Sequence, residues 1–204
     1  MKSISDILRD IKIGFTAERI SVADILEAFH ERGFGFFMFL FALPAALPIP
    51  AVGYGTVFGL PLVFLSVQQI AGGRKIWFPC SWLRKSIRRS QLIEFADKAL
   101  PWADRLEYLL KPRLSFVTSG LFSRLIGVFG LIMALCVCVP LPLTNTVPSF
   151  GIALMSVGVL MRDGLAVLAG AFIGIAWVFT LALIVFFLGT EGIDFVKELI
   201  KSYI

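Results

Sequence analysis

The chain has 204 residues, of which 58% are hydrophobic and only 16% charged, and its formal net charge is +5. Soluble globular domains typically carry about 45–50% apolar and about 25% charged residues, so this composition excludes an ordinary soluble domain. The mean hydropathy of +0.88 points the same way. The sequence therefore predicts an integral membrane protein, and its length fits a single membrane domain spanning residues 1–204.

Three long stretches contain no Asp, Glu, Lys or Arg, namely 33–73, 125–161 and 164–190. A helix needs about 20 apolar residues to cross the roughly 30 Å hydrocarbon core of a bilayer, and each stretch exceeds that length. Residues 1–32 mix acidic and basic side chains and lack the short apolar core of a signal peptide. We therefore expect the first apolar segment to be retained in the mature protein.

Residues 1–32 show two short amphipathic patterns. In the first pattern, apolar residues from Ile4 to Ile11 follow helical spacing. The same spacing recurs after Ser21, a candidate N-cap residue. We predict two cytoplasmic amphipathic helices, which either lie on the membrane surface or pack against each other.

The first two apolar stretches are each interrupted by two prolines one residue apart. Two prolines one residue apart remove two backbone donors and exclude a continuous helix, so each stretch predicts a helix–break–helix hairpin that is re-entrant or crosses a thinned bilayer. The third stretch, 164–190, has no proline and predicts a plain transmembrane helix. The prolines assigned to the helix breaks are Pro48, Pro50, Pro140, Pro142 and Pro148.

The two hairpins align with each other without a gap when the sequence is shifted by 92 residues. The alignment superimposes both Pro-x-Pro pairs and gives 12 identities over the 41 positions from 32 to 72. Apolar composition inflates chance matches, so the prolines and glycines in register are the informative identities. We predict an internal duplication of the hairpin, and because both copies enter from the same side, the repeat is parallel rather than inverted.

A basic, amphipathic block, residues 74–124, joins the two hairpins. It holds 11 Lys and Arg against 4 Asp and Glu, and Trp77, Trp82 and Trp102 are spaced through it as expected for rings at the headgroup level. A nucleic-acid partner is not expected, because these aromatic residues flank a membrane hairpin instead of lining a folded groove. Four cations form the pattern of a helix that lies on anionic lipid, namely Arg84, Lys85, Arg88 and Arg89.

Charge distribution predicts the topology. Hairpins return to their starting side, so residues 1–32, the basic block and the Arg162-Asp163 turn share one side, with 17 of the 19 Lys and Arg. By the positive-inside rule that side is cytoplasmic, and the C-terminal tail is periplasmic. Gly170-x-x-x-Gly174 fits the small-xxx-small pattern and allows a homo-oligomer.

The two helix breaks are the candidate functional site. Irregular backbone at membrane depth is tolerated where it is buried in protein or faces a wet cavity, and discontinuous helices at matching positions in two halves point to a transport site. The alternative is that the polar residues only cap helix ends and satisfy freed backbone groups. The predicted substrate-binding residues are Tyr54, Thr56, Thr144, Asn145, Thr146 and Ser149.

We predict no catalytic residue, metal or cofactor. The single histidine, His30, lies outside the apolar stretches beside Glu27 and Glu31, which is typical of a solvated helix face. The chain has no G-x-S-x-G, H-E-x-x-H or Walker motif, and its three cysteines lack metal-ligand spacing. The apolar stretches contain no carboxylate that could relay protons. An enzyme is therefore not expected.

A series of short motifs runs in order from about residue 20 to residue 188. It includes Glu31-Arg32-Gly33-Phe34-Gly35, Leu47-Pro48-Ile49-Pro50, Phe58-Gly59-Leu60-Pro61, Leu100-Pro101-Trp102, Pro140-Leu141-Pro142 and Arg162-Asp163-Gly164. This series resembles the ExoD-type exopolysaccharide-synthesis membrane proteins, although the segment 51–55 departs from their pattern. The resemblance implies a bacterial inner-membrane protein linked to exopolysaccharide production. Two functions compete, a small-solute or ion transporter or channel that uses the paired breaks and a non-catalytic scaffold for polysaccharide assembly.

Overall fold

The structure, a computed structural model, is mostly helical. It describes residues 5–6, 9, 18–21, 23–24, 26, 33–47, 53–73, 76–78, 85–118, 120–139 and 144–203. Within these ranges the longer helices are α1 (Gly33–Ala45), α2 (Tyr54–Ile70), α3 (Arg89–Leu109), α4 (Gly120–Cys138), α5 (Thr146–Met161) and α6 (Gly164–Tyr203). A short 3-10 helix spans Ser115–Thr118, and two strands, β1 (Arg19–Ser21) and β2 (Ser86–Arg88), form an antiparallel pair.

Two apolar hairpins form the centre of the molecule. Helices α1 and α2 make the first hairpin, and α4 and α5 make the second. Helix α2 packs along α4, and α1 packs along α5, so each hairpin contacts the other through both of its helices. Helix α6 covers α5 and touches α4. The core between them contains fully buried Leu62, Leu65, Met133, Ile152 and Met155.

Glycines allow the two hairpins to approach each other closely. A Cβ atom on Gly35 of α1 would lie 3.0 Å from the carbonyl oxygen of Ser156 on α5. A Cβ atom on Gly127 of α4 would lie 3.0 Å from the carbonyl oxygen of Ser66 on α2. Gly35 and Gly127 are one of the identical pairs in the 92-residue alignment, and each packs against the second helix of the other hairpin.

The interface between α5 and α6 is closer still. A Cβ atom on Gly170 would lie 2.6 Å from the carbonyl oxygen of Gly151, and one on Gly158 would lie 2.6 Å from the amide nitrogen of Val167. Gly174 faces Met133 of α4 in equally tight contact. The small-xxx-small motif therefore packs within the chain, and it does not provide a surface for a second copy. A homo-oligomer stays a prediction, and the Gly170-x-x-x-Gly174 motif no longer supports it.

The outer surface of the helices is apolar. Two helical segments, Gly120–Cys138 and Gly164–Phe187, are long and apolar enough by length and composition to cross a membrane, while α1, α2 and α5 are shorter apolar helices. Phe172 and Phe186 of α6 are 75% and 80% exposed. Helix α4 turns a continuous apolar face outward, consisting of Leu121, Leu125, Val128, Ile132 and Leu135. Exposed apolar faces of this extent mark contact with a membrane or a partner, and with the two long helices they indicate membrane association.

The prediction of an all-α fold is wrong over two short segments. Strands β1 and β2 pair with Ile20 opposite Ile87. A helix was also predicted across the four cations, but Arg88 lies in β2 and α3 begins only at Arg89. Three-residue strands are too short to show an alternating pattern, and their hydrogen bonds come from a distant part of the chain.

The helix limits correct one further prediction. Pro148 was assigned to the second break, but it lies in the first turn of α5. That position accepts proline because the first N–H groups of a helix have no intrahelical acceptor. The other break prolines, Pro48, Pro50, Pro140 and Pro142, lie outside the described residues.

Side-chain hydrogen bonds mark two further helix starts, and a glycine interrupts one helix. The predicted N-cap at Ser21 is confirmed, because its Oγ atom accepts a hydrogen bond from the backbone N–H of Asp24 at 3.2 Å. Asp163, in the turn before α6, accepts from the backbone N–H of Leu165 at 3.0 Å. Helix α6 is interrupted at Gly189, which has a φ of 65°, close to the end of its apolar run.

Candidate functional site

The helix ends that flank the two breaks lie side by side at one end of the bundle. The hydroxyl of Thr56, in the first turn of α2, donates to the carbonyl oxygen of Cys138 at the end of α4, over 3.2 Å. A Cβ atom on Gly55 would lie 2.6 Å from both the carbonyl oxygen of Val137 and the side-chain oxygen of Asn145. Residues that follow the first break thus contact residues on both sides of the second.

Three of the predicted site residues satisfy helix-end carbonyl groups. Thr56 does so across the two breaks, as just described. The Tyr54 hydroxyl donates to the carbonyl oxygen of Pro44 at 2.9 Å. The Thr144 hydroxyl, in a residue that is 4% exposed, donates to the carbonyl oxygen of Val139 at 2.8 Å. Since the last carbonyl groups of a helix lack intrahelical partners, these three contacts match the capping alternative.

The other three predicted residues lie at the start of α5. Asn145 occupies the N-cap position, but its side chain makes no capping hydrogen bond. Thr146 is the first helical residue and is half-buried. Ser149 is fully buried, and its Oγ atom has no hydrogen-bond partner in the described part of the chain. A buried hydroxyl without a partner costs about 1–3 kcal/mol, and capping does not explain why Ser149 is buried.

Sequence reasoning missed a second buried hydroxyl at the α2/α4 interface. Ser66 is fully buried and its Oγ atom also lacks a partner among the described residues. A Cβ atom on Gly130 of α4 would lie 2.9 Å from this oxygen. One turn along α2, buried Gln69 donates to the hydroxyl of Ser123 at 3.4 Å. The spacing of Ser66 and Gln69, three residues apart in an apolar helix, was the available signal.

Three of the four predicted lipid-contact residues are described, and they lie in or next to β2 and the start of α3. Arg84 is outside the described residues, and Lys85 is exposed. Arg88 and Arg89 belong to β2 and α3. A cavity of about 770 Å³ is found here, lined by Glu18, Arg19, Arg88, Arg89, Ser90 and Ile93.

Trp77 lies at the end of α2 that is remote from the breaks. Its backbone N–H donates to the side-chain oxygen of Gln68 at 2.6 Å, and its carbonyl oxygen accepts from the Gln68 amide at 3.1 Å. The indole is 64% exposed and packs near the ring of Phe64, with 6.1 Å between ring centroids. Gln68 therefore fixes the chain that leaves α2, and it places an aromatic side chain on the surface.

The described residues contain no group of three His, Cys, Asp or Glu side chains that could hold a metal ion. The buried carboxylate of Asp163 is engaged with the first turn of α6, where its Oδ1 atom also accepts from Ala166 N–H at 3.4 Å. Among the described residues, the polar groups at the helix ends that flank the breaks are therefore hydroxyl, amide and backbone carbonyl groups.

The model of the family described as exopolysaccharide synthesis, ExoD, matches residues 4–183. The chain belongs to the ExoD family. This match confirms the resemblance inferred from the motifs and associates the chain with exopolysaccharide synthesis. The description of the ExoD family names a biosynthetic process and no reaction.

Two relatives of this ExoD-family chain cover most of its length. An uncharacterised protein of Synechocystis sp. (strain ATCC 27184 / PCC 6803 / Kazusa) is 34% identical over 187 residues, which is 89% of this chain and 88% of the relative. Protein ExoD of Rhizobium meliloti (strain 1021) is 31% identical over 179 residues, or 86% of this chain and 74% of the relative. No solved structure matches the chain.

Proposed function

We propose that this ExoD-family protein is a multi-pass, non-enzymatic protein of the bacterial inner membrane. In this proposal it supports exopolysaccharide synthesis as a transporter or channel for a small solute or ion, through the paired helix breaks. The observation that carries the proposal is the meeting of the two breaks, with Gly55 and Thr56 against Val137, Cys138 and Asn145. Paired discontinuous helices are the common architecture of transport sites in membrane proteins.

The proposed membrane placement puts the breaks inside the bilayer. Helices α1 and α5 have 13 and 16 residues, which gives lengths of roughly 20 and 24 Å at 1.5 Å per residue. Both are shorter than the roughly 30 Å hydrocarbon core. In this placement residues 1–32 and the basic block are cytoplasmic and the C-terminus is periplasmic. The junction, by which we mean the place where the helix ends flanking the two breaks meet, then opens toward the periplasmic half of the membrane.

We also propose that the two hairpins are a parallel duplication with re-entrant character. In the alignment α1 corresponds to α4, and α2 corresponds to α5. Exchanging the two hairpins therefore turns the α1–α5 contact into the α4–α2 contact, and both contacts are present, as expected for a pseudo-two-fold arrangement. The equivalent glycines Gly35 and Gly127 each pack on the backbone of the opposite hairpin. This relation brings the two breaks to the same end of the bundle.

The residues at the junction suit an uncharged polar solute or a cation held by oxygen atoms. Charged side chains are absent from the apolar stretches, so recognition falls to hydroxyl, amide and carbonyl groups. Ser149 offers a buried hydroxyl near the junction, and Ser66 offers another deeper in the bundle. Unpartnered polar groups at such positions commonly mark sites of water or ions.

Flux through proteoliposomes tests this function with a matched pair of variants. We expect Ser149→Ala to lower the flux about tenfold, because it removes the buried hydroxyl that no described group satisfies. Ser156→Ala should leave flux nearly unchanged, since that hydroxyl is engaged with the carbonyl oxygen of Ile152 at 2.6 Å. The probes are potassium ions and protons, followed with dyes, and glycerol, followed by light scattering. The double variant Asn145→Leu, Thr146→Val should abolish the flux.

A non-catalytic scaffold for polysaccharide assembly is the second candidate function. It is favoured by the position of the cavity of about 770 Å³, which is lined mostly by residues of the basic block and by no residue of the breaks. Under this alternative neither the wild type nor any variant transports the probes. Cells carrying the Asn145→Leu, Thr146→Val protein would then produce exopolysaccharide at the wild-type level, whereas transport predicts a loss of polysaccharide together with the loss of flux.

A further inference from the structure

We propose that the cavity beside β1, β2 and the start of α3 is a binding site for a phosphoester, that is, a phosphate group that carries an organic substituent. The site shares no residue with the helix breaks, and the proposal is independent of transport. It contains three guanidinium groups, from Arg19, Arg88 and Arg89, and one carboxylate, from Glu18. Its lining therefore carries a net charge of +2.

The strand pairing forces two of these cations together. Arg19 of β1 is directly opposite Arg88 of β2 in the antiparallel register, so the two side chains leave the same face of the strand pair. Like charges at directly opposed positions destabilise a strand pair. No ion pair joins either arginine to a carboxylate among the described residues. A bound anion would neutralise this repulsion.

Backbone geometry adds donors at the same place. The N–H of Arg89 is already used, since it donates to the carbonyl oxygen of Glu18 at 3.0 Å. This bond holds the residue before β1 against the first residue of α3. Helix α3 has 21 residues, and its N-cap residue, Arg88, makes no side-chain capping hydrogen bond. The next N–H group, that of Ser90 at the cavity wall, lies in the first turn, where backbone donors lack intrahelical partners.

The cavity chemistry selects the class of ligand. Guanidinium groups bind phosphate oxygens in bidentate geometry, and this pairing is stronger than a neutral hydrogen bond. A volume of about 770 Å³ falls within the range of about 300–1,000 Å³ that is usual for small-molecule sites, and it exceeds the needs of a bare phosphate ion. Ile93 supplies an apolar wall for the organic part. The phosphoester can come from a lipid headgroup or from a soluble metabolite.

The experiment measures binding to the purified full-length protein. In neutral detergent, titration calorimetry with glycerol 3-phosphate gives the affinity for a soluble phosphoester, and inorganic phosphate gives that for the bare ion. Nanodiscs of phosphatidylcholine with and without phosphatidic acid test the lipid source. We expect Arg19→Gln and Arg88→Gln each to weaken phosphoester binding at least tenfold. Because the contact is electrostatic, 0.5 M sodium chloride should also weaken binding to the wild-type protein.

Lys98→Gln is the matched control. Lys98 lies on α3 outside the cavity lining, and it is ion-paired with Glu94 at 2.7 Å, a contact that lowers the pKa of the Glu94 carboxyl. This variant should bind as the wild type does. Thermal unfolding without ligand separates a binding role from a structural one. Arg19→Gln should be at least as stable as the wild type, because a like-charge contact is removed.

The outcomes are distinct. Glycerol 3-phosphate binding that Arg19→Gln and Arg88→Gln abolish supports a soluble phosphoester, and arginine-dependent binding to phosphatidic acid nanodiscs alone supports a headgroup. Absence of binding to all probes, equal loss in Lys98→Gln, or tighter binding of inorganic phosphate than of the ester would overturn the proposal. Ser149→Ala should retain full phosphoester binding, so failure of the transport proposal leaves this one standing.

Discussion

Two helix interfaces of this ExoD-family protein differ in the groups that lie between the packed helices. Helices α5 and α6 meet backbone to backbone through Gly151, Gly158 and Gly170. Helices α2 and α4 also meet at glycines, but two buried polar atoms lie in this interface, Oγ of Ser66 and Oε1 of Gln69. Neither atom has a hydrogen-bond partner among the described residues. The first interface leaves no space for a larger side chain, whereas the second buries polar atoms that a water molecule can satisfy. The two helix pairs therefore differ in the chemistry of their interfaces and not only in their closeness.

The largest expected effect lies in the tight interface. Gly170→Ala would place a Cβ atom 2.6 Å from the Gly151 carbonyl oxygen and from the Met155 amide nitrogen. Because both are backbone atoms that cannot move aside, we expect a loss of roughly 2–3 kcal/mol in unfolding free energy. Denaturant titration in mixed micelles measures it. Gly33→Ala is the control, since its Cβ would meet Ile76 at an ordinary 3.4 Å. Equal stability of the two variants would show that α5 and α6 can separate.

An intermediate effect is expected where α2 meets the end of α4. Gly59→Ala would bring a Cβ atom within 2.6 Å of the Cys138 sulfur, but the next contact is 3.3 Å. We expect a cost of about 1–3 kcal/mol for Gly59→Ala alone. Cys138→Ala should relieve it, with a coupling energy of about 1 kcal/mol in a double-mutant cycle. Purely additive costs would contradict the close approach of α2 and α4.

The smallest effect tests the polar character of the α2/α4 interface. Ser66→Ala should leave stability unchanged or raise it by up to about 1 kcal/mol, since a buried hydroxyl without a partner is removed. Ser156→Ala provides the comparison, because it loses a hydrogen bond to Ile152 and should be destabilised by about 0.5–1.5 kcal/mol. Thermal unfolding of the two variants side by side gives the answer. Destabilisation by Ser66→Ala would mean that water or an ion binds this hydroxyl.

The helices around the breaks could be predicted from local rules. The charge-free runs and their prolines predicted a helix on each side of both breaks, which the structure shows as α1, α2, α4 and α5, and the helix starting at Gly164 followed from the same rules. Helix α4 begins at Gly120, before the charge-free run, because a single Arg124 does not end a helix.

The features that sequence reasoning missed depend on distant partners. Strand β2 forms because β1 supplies its hydrogen bonds, and nothing local distinguishes it from the start of a basic helix. The same pairing brings Arg19 to the cavity, which no motif indicated. The capping contacts of Thr56 likewise cross 82 residues. Local pattern decides which segments are helical, while the partners of the polar side chains follow only from the assembled bundle.

The short, enclosed helix α5 also constrains how the protein is made. It is buried along most of its length, and Phe150, at 53% exposure, is its most exposed large side chain. When α5 leaves the ribosome, α1 and α4 are already available, but α6 has not yet been synthesised. The face of α5 that holds Gly151 and Gly158 therefore stays uncovered until α6 is synthesised. A nascent chain stopped before Gly164 would expose this glycine face, which α6 covers in the folded protein.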